Sequence, residues 1–348
     1  VETPEGGSVA TEAGEQLVYT CPGDGVADVI RFDSTGTSQG AYTYVVTDEA
    51  NVILALPGGD EFDFDGAPAG TCRVWGLAYA GDITAEVGDT ASAVDLASEC
   101  FSLSDNFITV VRETPEGGAV SLEDGSTEAF TCPGDGMADV LSFDSTGTSS
   151  GPYAYVITDE ANVILDFATG DDFDFDSAPA GTCRVWGLAY TGNVTAMVGD
   201  TASAVALTDD CFDLSDNFIT VVREVPVGGS VELEGGGNLA FICPDDGLPN
   251  VLAFDSSGVV GPNFIYVVTD QQNIILDAFP VDVYDFESDM TGIVRVWGLA
   301  YTGNLIAEPG DTASVAMLSD DCFSLSDNFV DVIREVPFGG EVATEDGA

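Results

Sequence analysis

The sequence predicts an all-β protein made of three tandem β-sandwich modules that line up as a rod. The first observation is a strict repeat of 111 residues, which brings Cys21, Cys132 and Cys243 into register without insertion or deletion. The second is the alternation of apolar and polar residues, rich in β-branched side chains and interrupted by Gly, Pro, Asp and Asn. A fixed period of this length indicates one folding unit repeated in series.

The register places the repeats at residues 1–111, 112–222 and 223–333. Each repeat is long enough to bury its own core. Residues 334–348 restart the pattern of the first fifteen residues. This segment is predicted to begin a fourth repeat, or to complete the sandwich of a neighbouring molecule in the manner of a donor strand.

Within the first repeat the alternating segments predict eight short strands. They are expected at residues 8–10, 16–21, 26–33, 41–47, 51–56, 61–65, 72–79 and 106–112. Between them lie segments rich in the residue types that accept tight turns. Residues 89–98 predict a short helix with Asp89 as its N-terminal cap.

Aromatic residues mark the core-facing sides of these strands. In the segment 60–65, Phe62 and Phe64 are expected to point inward while the carboxylates between them face water. Trp75 is predicted to anchor the core, with the guanidinium of Arg73 over its indole ring.

The cysteine pattern predicts one disulfide in each repeat. The first two repeats have three cysteines each, whereas the third has Val294 at the middle position. Pairing the outer two leaves no orphan in any repeat, so we expect the disulfides Cys21–Cys100, Cys132–Cys211 and Cys243–Cys322. Such bridges indicate an oxidising, extracellular location. Cys72 and Cys183 are then left as buried thiols or as sites of an intermolecular crosslink.

Charge excludes several classes of partner. The chain has 61 Asp and Glu against 7 Lys and Arg, with no His, for a net charge of −54. It offers no basic surface for nucleic acid or for an anionic membrane, and no apolar run is long enough to span a bilayer. The charge keeps the molecules soluble, attracts divalent cations, or reflects adaptation to high salt, where repulsion is screened.

About 110 residues of short strands, a predicted inter-sheet disulfide and a buried Trp resemble the immunoglobulin-like fold. The resemblance is architectural and covers all three repeats. The joints between repeats are short and contain Pro and Gly, as in ETPEGG at 113–118, which favours a stiff row of modules.

One repeated segment suggests a calcium site, the only cofactor that the sequence suggests. CPGDGVAD at 21–28 carries carboxylates around a glycine turn, and it recurs at 132–139 and, with Asn250 at the last position, at 243–250. The candidate ligands are Asp24, Asp28, Asp135, Asp139 and Asp246. The alternative is a turn stabilised by Asp side chains without any metal.

Short acidic-hydroxyl motifs recur in register and resemble acceptor sites for O-glycans on exported proteins of bacteroidete-type bacteria. Their hydroxyl residues are Ser34, Thr90, Ser145, Thr201, Ser256 and Thr312. Together with the CPGDG, CRVWGL and LSDNFITV blocks, they make the chain similar to secreted tandem-repeat surface and fibre proteins of that group.

These features favour a structural extracellular protein, a stalk or filament subunit that associates with copies of itself. The alternatives are an adhesin whose exposed Tyr42 and Tyr44 bind glycans, and a passive spacer attached to a secreted enzyme. Catalysis is not expected, because neither His nor Lys is present to act as a base or amine nucleophile.

Overall fold

The computed structural model describes residues 3–38, 40–244, 246–287, 291–314 and 316–339. Over these residues the secondary structure consists of strands, turns and bends, without a helix. Accordingly, none of the described segments is a helix with the length and apolar character needed to cross a membrane. Residues 340–348, which make up most of the predicted partial fourth repeat, lie outside the described residues.

Nine strands recur in each repeat. The first repeat contains β1 (Ser8–Thr11), β2 (Leu17–Thr20), β3 (Val29–Thr35), β4 (Ala41–Asp48), β5 (Ile53–Ala55), β6 (Glu61–Asp63), β7 (Gly70–Tyr79), β8 (Phe101–Leu103) and β9 (Ile108–Arg112). The second contains β10 (Ala119–Leu122), β11 (Glu128–Thr131), β12 (Val140–Thr146), β13 (Tyr153–Asp159), β14 (Ile164–Ala168), β15 (Asp172–Asp174), β16 (Gly181–Tyr190), β17 (Phe212–Leu214) and β18 (Ile219–Arg223). The third contains β19 (Ser230–Leu233), β20 (Leu239–Ile242), β21 (Val251–Ser257), β22 (Asn263–Asp270), β23 (Ile275–Phe279), β24 (Val283–Asp285), β25 (Gly292–Tyr301), β26 (Phe323–Leu325) and β27 (Val330–Arg334).

Each repeat builds one three-stranded and one six-stranded sheet, which confirms the tandem β-sandwich fold. In the first repeat the small sheet has the order β1-β3-β6, and the large sheet has the order β2-β9-β7-β4-β5 with β8 on the end of β7. Strand β2 runs parallel to β9. The pairs β1–β3, β3–β6, β4–β5, β4–β7, β7–β8 and β7–β9 are antiparallel. All eight predicted strands are present, and β8 was not predicted.

The large sheet is buried on both faces. One face meets the small sheet through a cluster that includes Phe32, Phe64 and Val74. The other face packs against the chain between β7 and β8, through a second cluster that includes Leu77 and Leu96. Burial on both sides explains why β4 and β7 contain runs of apolar residues rather than strict alternation.

The predicted helix at 89–98 is wrong, because this segment forms turns that cover the second face of the large sheet. Its backbone makes one local hydrogen bond, from the amide of Ala93 to the carbonyl of Thr90, and otherwise bonds to the chain beside the sheet. The amide of Ala91 donates to the carbonyl of Asn51, and Thr90 forms a β-bridge with Val52. Leu96, which is fully buried, accepts at its carbonyl from the amides of Thr84 and Ala85. Tertiary burial here overrides the local helical pattern.

The aromatic predictions are confirmed in part. Phe64 is fully buried and Phe62 packs against the same cluster, as expected from the alternation. Trp75 packs against the second cluster. The guanidinium of Arg73, however, lies over the ring of Phe107 at 4.9 Å rather than over the indole, because Phe107 stands between them at 4.8 Å from Trp75.

The glycine of the CRVWGLAY block is required by packing. A β-carbon at Gly76 would overlap the hydroxyl of Tyr42 and meet a methyl group of Val9 at 2.9 Å. The Tyr42 hydroxyl donates to the carbonyl of Gly6 at 2.8 Å, which ties the first residues of the repeat to the sheet. A glycine at this point of β7 therefore makes room for the ring that closes the sandwich.

The chain divides into two compact units that cut through the second repeat. The first contains Val1–Thr127, Ser142–Asp171 and Arg184–Ile219, and the second contains Glu128–Leu141, Asp172–Cys183 and Thr220–Ala348. The division into three domains at residues 111 and 222 stays a prediction.

Candidate functional site: the joints between repeats

The first and last cysteines of a repeat lie at opposite ends of its long central strand. Cys21 follows β2, whose last residue Thr20 pairs with Arg112, and Arg112 in turn pairs with Gly70 at the start of β7. Cys100 lies beside the other end of β7, where its carbonyl accepts from the amide of Ala80 at 2.9 Å. Ten residues of extended β7 span about 30 Å.

This separation makes the predicted pairs Cys21–Cys100, Cys132–Cys211 and Cys243–Cys322 wrong. A disulfide needs Cα atoms within about 7 Å, and no side chain spans the length of the sandwich. The structure instead joins Cys21 to Cys211 and Cys132 to Cys322, with Cα–Cα distances of 5.9 and 5.8 Å. Both bridges connect residues 190 apart, so each links the first cysteine of one repeat to the last cysteine of the next.

The middle cysteines behave as expected from Val294. Cys72 and Cys183 are free and buried, and Val294 is equally buried at the corresponding position. Burial raises the pKa of both thiols, although the positive charges of Arg112 and Arg223 act in the opposite direction. A thiol enclosed in this way fills the core and cannot reach another molecule.

The first joint, the contact region between repeats one and two around the Cys21–Cys211 disulfide, is also closed by packing and hydrogen bonds. A β-carbon on Gly151 would lie 3.5 Å from the ring of Tyr19, so the second repeat covers that ring closely. The amide of Glu113, at the start of the second repeat, donates to the carbonyl of Thr20 in the first at 3.2 Å. Within the second repeat, the carboxylate of Glu113 accepts from both the amide and the hydroxyl of Ser150, each at 2.6 Å.

Carboxylates from both repeats surround this disulfide. Asp24 comes from the turn after Cys21, and Asp210 directly precedes Cys211. A carboxylate oxygen of each lies within 4.8 Å of the other and of both sulfurs. One oxygen of Asp24 accepts from the amide of Val26 at 2.7 Å, which confirms the Asp-stabilised turn. Its second oxygen lies 3.5 Å from the sulfur of Cys211, which has no hydrogen to donate once it is oxidised.

Asp28 is the most enclosed acid of the group, at 9% exposure. Its amide donates to Asp63 at 3.0 Å, which fixes its place. Burial, followed by the negative charges of Asp210, Asp24 and Asp65, raises the pKa of Asp28 to about 7, against a smaller lowering by the hydrogen bond from the Thr20 hydroxyl. Every charged group that shifts this pKa is a carboxylate.

The second joint, around the Cys132–Cys322 disulfide, has the same construction. Asp135 and Asp321 lie beside this disulfide as Asp24 and Asp210 do beside the first. Burial, followed by the negative charges of Asp321 and Asp135, raises the pKa of Asp139 to about 7. The strand that leads into this joint, β11, pairs in parallel with β18.

The third repeat keeps the turn but changes the enclosed residue. Asp246 accepts from the amide of Leu248 at 2.9 Å, so the turn is preserved. Asn250 replaces the enclosed acid, and its side-chain amide donates to the carbonyl of Cys243 at 2.8 Å and to Glu287 at 2.6 Å. Cys243 is a free thiol.

The structure brings together four of the five predicted metal ligands, in pairs, with an acid that the sequence analysis missed. Asp24 and Asp28 lie at the first joint with Asp210, and Asp135 and Asp139 lie at the second with Asp321. The missed acids sit in the segments DDC at 209–211 and 320–322, where the first repeat has SEC.

The predicted glycan acceptors lie in paired segments rather than in turns. Ser34, Ser145 and Ser256 pair with the first strand of their own repeats. The three threonines form isolated bridges to the segments before β5, β14 and β23: Thr90, Thr201 and Thr312. Glycosylation at these residues stays a prediction.

The tyrosines considered as a glycan platform are packed into the sandwich. Tyr44 is 5% exposed and stacks near Phe32, and Tyr42 packs edge-on against Tyr44. Tyr155 and Tyr266 are buried in the same position of the other repeats.

Comparison with known proteins yields no close relative. No protein family model matches the chain, and no curated protein matches it. Among solved structures it is similar to three N-terminal domains of the highly immunogenic outer capsid protein (Hoc) of bacteriophage RB49, at 10% identity and a TM-score of 0.41, covering 97% of this chain and 99% of that one. It is also similar to fibronectin(III)-like modules of Clostridium thermocellum CbhA, at 12% identity and a TM-score of 0.31, covering 65% and 99%.

A third solved structure, mouse cadherin-23 EC22-24, is similar at 10% identity and a TM-score of 0.21, covering 95% of this chain and 100% of that one. Likenesses at this level carry no argument about function. The fold described above rests on the strand order and pairing of the chain itself.

Proposed function

We propose that this chain is an extracellular structural protein, a segment of a stalk or filament, in which disulfides between consecutive repeats carry tension. The observation that carries the proposal is that both disulfides cross a repeat boundary. A bridge inside a repeat stabilises that repeat alone, whereas a bridge between repeats adds a second covalent connection to the peptide joint. Disulfides also favour an oxidising location.

The connectivity limits how far the chain extends under force. A pull on both ends passes from Cys21 to Cys211, back along the backbone to Cys132, and across to Cys322. This route includes about 125 residue steps instead of 347, so full extension falls from about 1,200 Å to about 440 Å at roughly 3.5 Å per residue. An oxidised chain therefore resists stretching even after its sandwiches unfold.

Further copies of the repeat are the partner that this pattern requires. Cys243 occupies the position of Cys21 and Cys132, while Cys100 occupies that of Cys211 and Cys322, yet both are free thiols. We propose that Cys243 of one chain pairs with Cys100 of another. The two thiols lose two protons and two electrons to a disulfide oxidant such as oxidised glutathione, which is reduced to two thiols.

Single-molecule stretching of the full chain, held at its two ends, tests the mechanical role. The oxidised chain is expected to reach a contour length near 440 Å, and a reductant is expected to release it to near 1,200 Å. Equal lengths in both conditions would contradict the proposal.

Assembly is tested separately by incubating the purified chain with oxidised glutathione and separating the products on a non-reducing gel. A ladder of multimers is expected, and Cys243→Ser alone should stop it at monomers and Cys100-linked dimers. Monomers only, for the unmodified chain, would argue against self-association through these thiols and would leave the stretching result unaffected.

The other functions that the sequence suggests receive less support. The adhesin hypothesis relied on exposed Tyr42 and Tyr44, which are packed inside the sandwich. A mechanical role requires no catalytic activity.

A further inference from the structure

Each closed joint contains buried carboxylate oxygens that lack a hydrogen-bond partner. At the first joint they are Oδ2 of Asp28 and Oδ1 of Asp210, and at the second they are Oδ2 of Asp139 and Oδ1 of Asp321. Asp28 is more than nine-tenths buried. A buried carboxylate without a donor is costly, because burial removes the water that would otherwise solvate it.

The hydroxyls of Thr20 and Thr131 add a further oxygen at each joint. Both side chains are buried, at 5% and 3% exposure. The Thr20 hydroxyl lies close enough to the Asp28 carboxylate to lower its pKa, and the Thr131 hydroxyl oxygen lacks a hydrogen-bond partner. Each threonine directly precedes the cysteine of its joint. The same buried group at both joints points to a shared requirement rather than to a local defect of one turn.

In the third repeat Asn250 occupies the position of Asp28 and Asp139, so it shows which hydrogen bonds a neutral side chain makes there. Asn250 satisfies its surroundings by donating two hydrogen bonds, to the carbonyl of Cys243 and to Glu287. An ionised Asp28 has no hydrogen to donate to the same kind of acceptors. Something positive must therefore stand between the oxygens at a joint, either a proton or a cation.

We propose that each closed joint binds one divalent cation of the calcium class. The ligands at the first joint are the carboxylates of Asp24, Asp28 and Asp210 with the hydroxyl of Thr20, and Asp135, Asp139, Asp321 and Thr131 are their counterparts at the second. Because Asp210 and Asp321 belong to the following repeat, the ion connects two repeats beside each disulfide.

The ligand chemistry selects the metal. Calcium takes six to eight oxygen ligands in flexible geometry, and water completes sets that the protein leaves partial. Zinc and copper favour thiolate or imidazole, but both cysteines at each joint are oxidised and the chain has no histidine. Two carboxylates within 4.8 Å of each other, with a third whose pKa their charges raise, also match a doubly charged ion better than a single proton.

Calcium titration of the full oxidised chain by isothermal calorimetry tests the inference. The buffer contains about 0.15 M salt, which screens diffuse attraction to the acidic surface, and calcium is first removed with a chelator. We expect two ions per chain, with dissociation constants between about 10⁻⁵ and 10⁻³ M. Zero ions per chain would overturn the proposal and would indicate protonated Asp28 and Asp139.

Three variants assign the ions to the joints. The double variant Asp28→Asn and Asp139→Asn copies the third repeat, so it should fold with its disulfides intact, and it is expected to bind calcium about 10- to 100-fold more weakly. The control, Asp60→Asn with Asp171→Asn, removes the same charge from exposed residues and should bind two ions like the unmodified chain. Equal loss in both variants would mean diffuse binding only.

The variant Asn250→Asp tests whether a second repeat is required. It restores the acid in the third repeat, where, among the described residues, no acidic cluster like that of Asp24 and Asp210 forms at Cys243. The expected stoichiometry stays at two ions per chain, and a third ion would show that one repeat suffices. These measurements do not depend on the mechanical role, since stretching and multimer formation are read independently of calcium.

Discussion

The same repeated segments occur at the two closed joints, where their cysteines form disulfides, and at the two open ends, which we define as the segments around the free thiols Cys100 and Cys243. Their side chains differ in exposure between these places. At a closed joint Cys211 and Asp210 are half-buried against the preceding repeat, whereas Cys100 and Glu99 at the corresponding place in the first repeat are exposed. On the other side, Tyr19 is half-buried under the second repeat, whereas Phe241 in the third is 70% exposed. The difference indicates that the repeated turn and cysteine segments become buried by contact between two repeats rather than within a single repeat.

The largest expected difference between a closed joint and an open end is in how much its cysteines contribute to the free energy of unfolding. Removing the first bridge with Cys21→Ser and Cys211→Ser should lower the free energy of unfolding by up to about 5 kcal/mol, because the bridge closes a loop of about 190 residues in the unfolded chain. Cys100→Ser should change it by less than about 0.5 kcal/mol. Denaturant unfolding followed by tryptophan fluorescence compares them, and equal effects would remove the distinction between joint and end.

Thiol reactivity gives the next largest contrast. Cys100 is exposed and is expected to react with iodoacetamide at least about 100-fold faster than buried Cys72, whose sulfur is reached only through local unfolding. Mass spectrometry of alkylated peptides from the native chain measures both rates. Val294→Cys provides the matched control, since a thiol in that buried position should be protected like Cys72.

The free energy of unfolding should also depend on Tyr19, the aromatic residue that packs at the first joint. Tyr19→Ala is expected to cost about 1–2 kcal/mol, because it removes a ring that contacts the second repeat at Gly151. Phe241→Ala, in an exposed side chain at the equivalent position, should stay within about 0.5 kcal/mol. Thermal unfolding of both variants in the oxidised state measures the difference, and a larger loss for Phe241 would show that the third repeat buries that ring.

The strands could be predicted from the sequence because each depends on local alternation. Phe62 and Phe64 face the core as the pattern requires, and the eight predicted strands are present. The helix predicted at 89–98 failed because its backbone bonds to the neighbouring sheet, which no local pattern reveals.

The disulfide pairing could not be settled by the cysteine pattern. Val294 correctly removed the middle cysteine from consideration, but the prediction of Cys21–Cys100 did not consider Cys211, which occupies the same position as Cys100 one period later. Only the placement of Cys21 and Cys100 at opposite ends of β7 decides between them.

Differences between the repeats in the sequence could have identified the acids at the joints. The first repeat has Glu99 where the following repeats have Asp210 and Asp321, and the third repeat has Asn250 where the preceding repeats have Asp. These exceptions fall beside the two cysteines that are free at these positions, Cys100 and Cys243. Differences between repeats therefore indicate the joints better than their similarities do.

The smallest expected effect concerns this exchange of acids. Asp210→Glu keeps the charge but lengthens the side chain, and it should weaken calcium binding at the first joint by about 5- to 10-fold, because the carboxylate is displaced from its position within 4.8 Å of Asp24. Glu99→Asp changes an exposed side chain in the first repeat and should leave both ions bound as before. Calorimetric titration of the two variants side by side measures the effect. A weaker affinity in Glu99→Asp would place the ion at the open end, and an unchanged affinity in Asp210→Glu would remove the following repeat from the site.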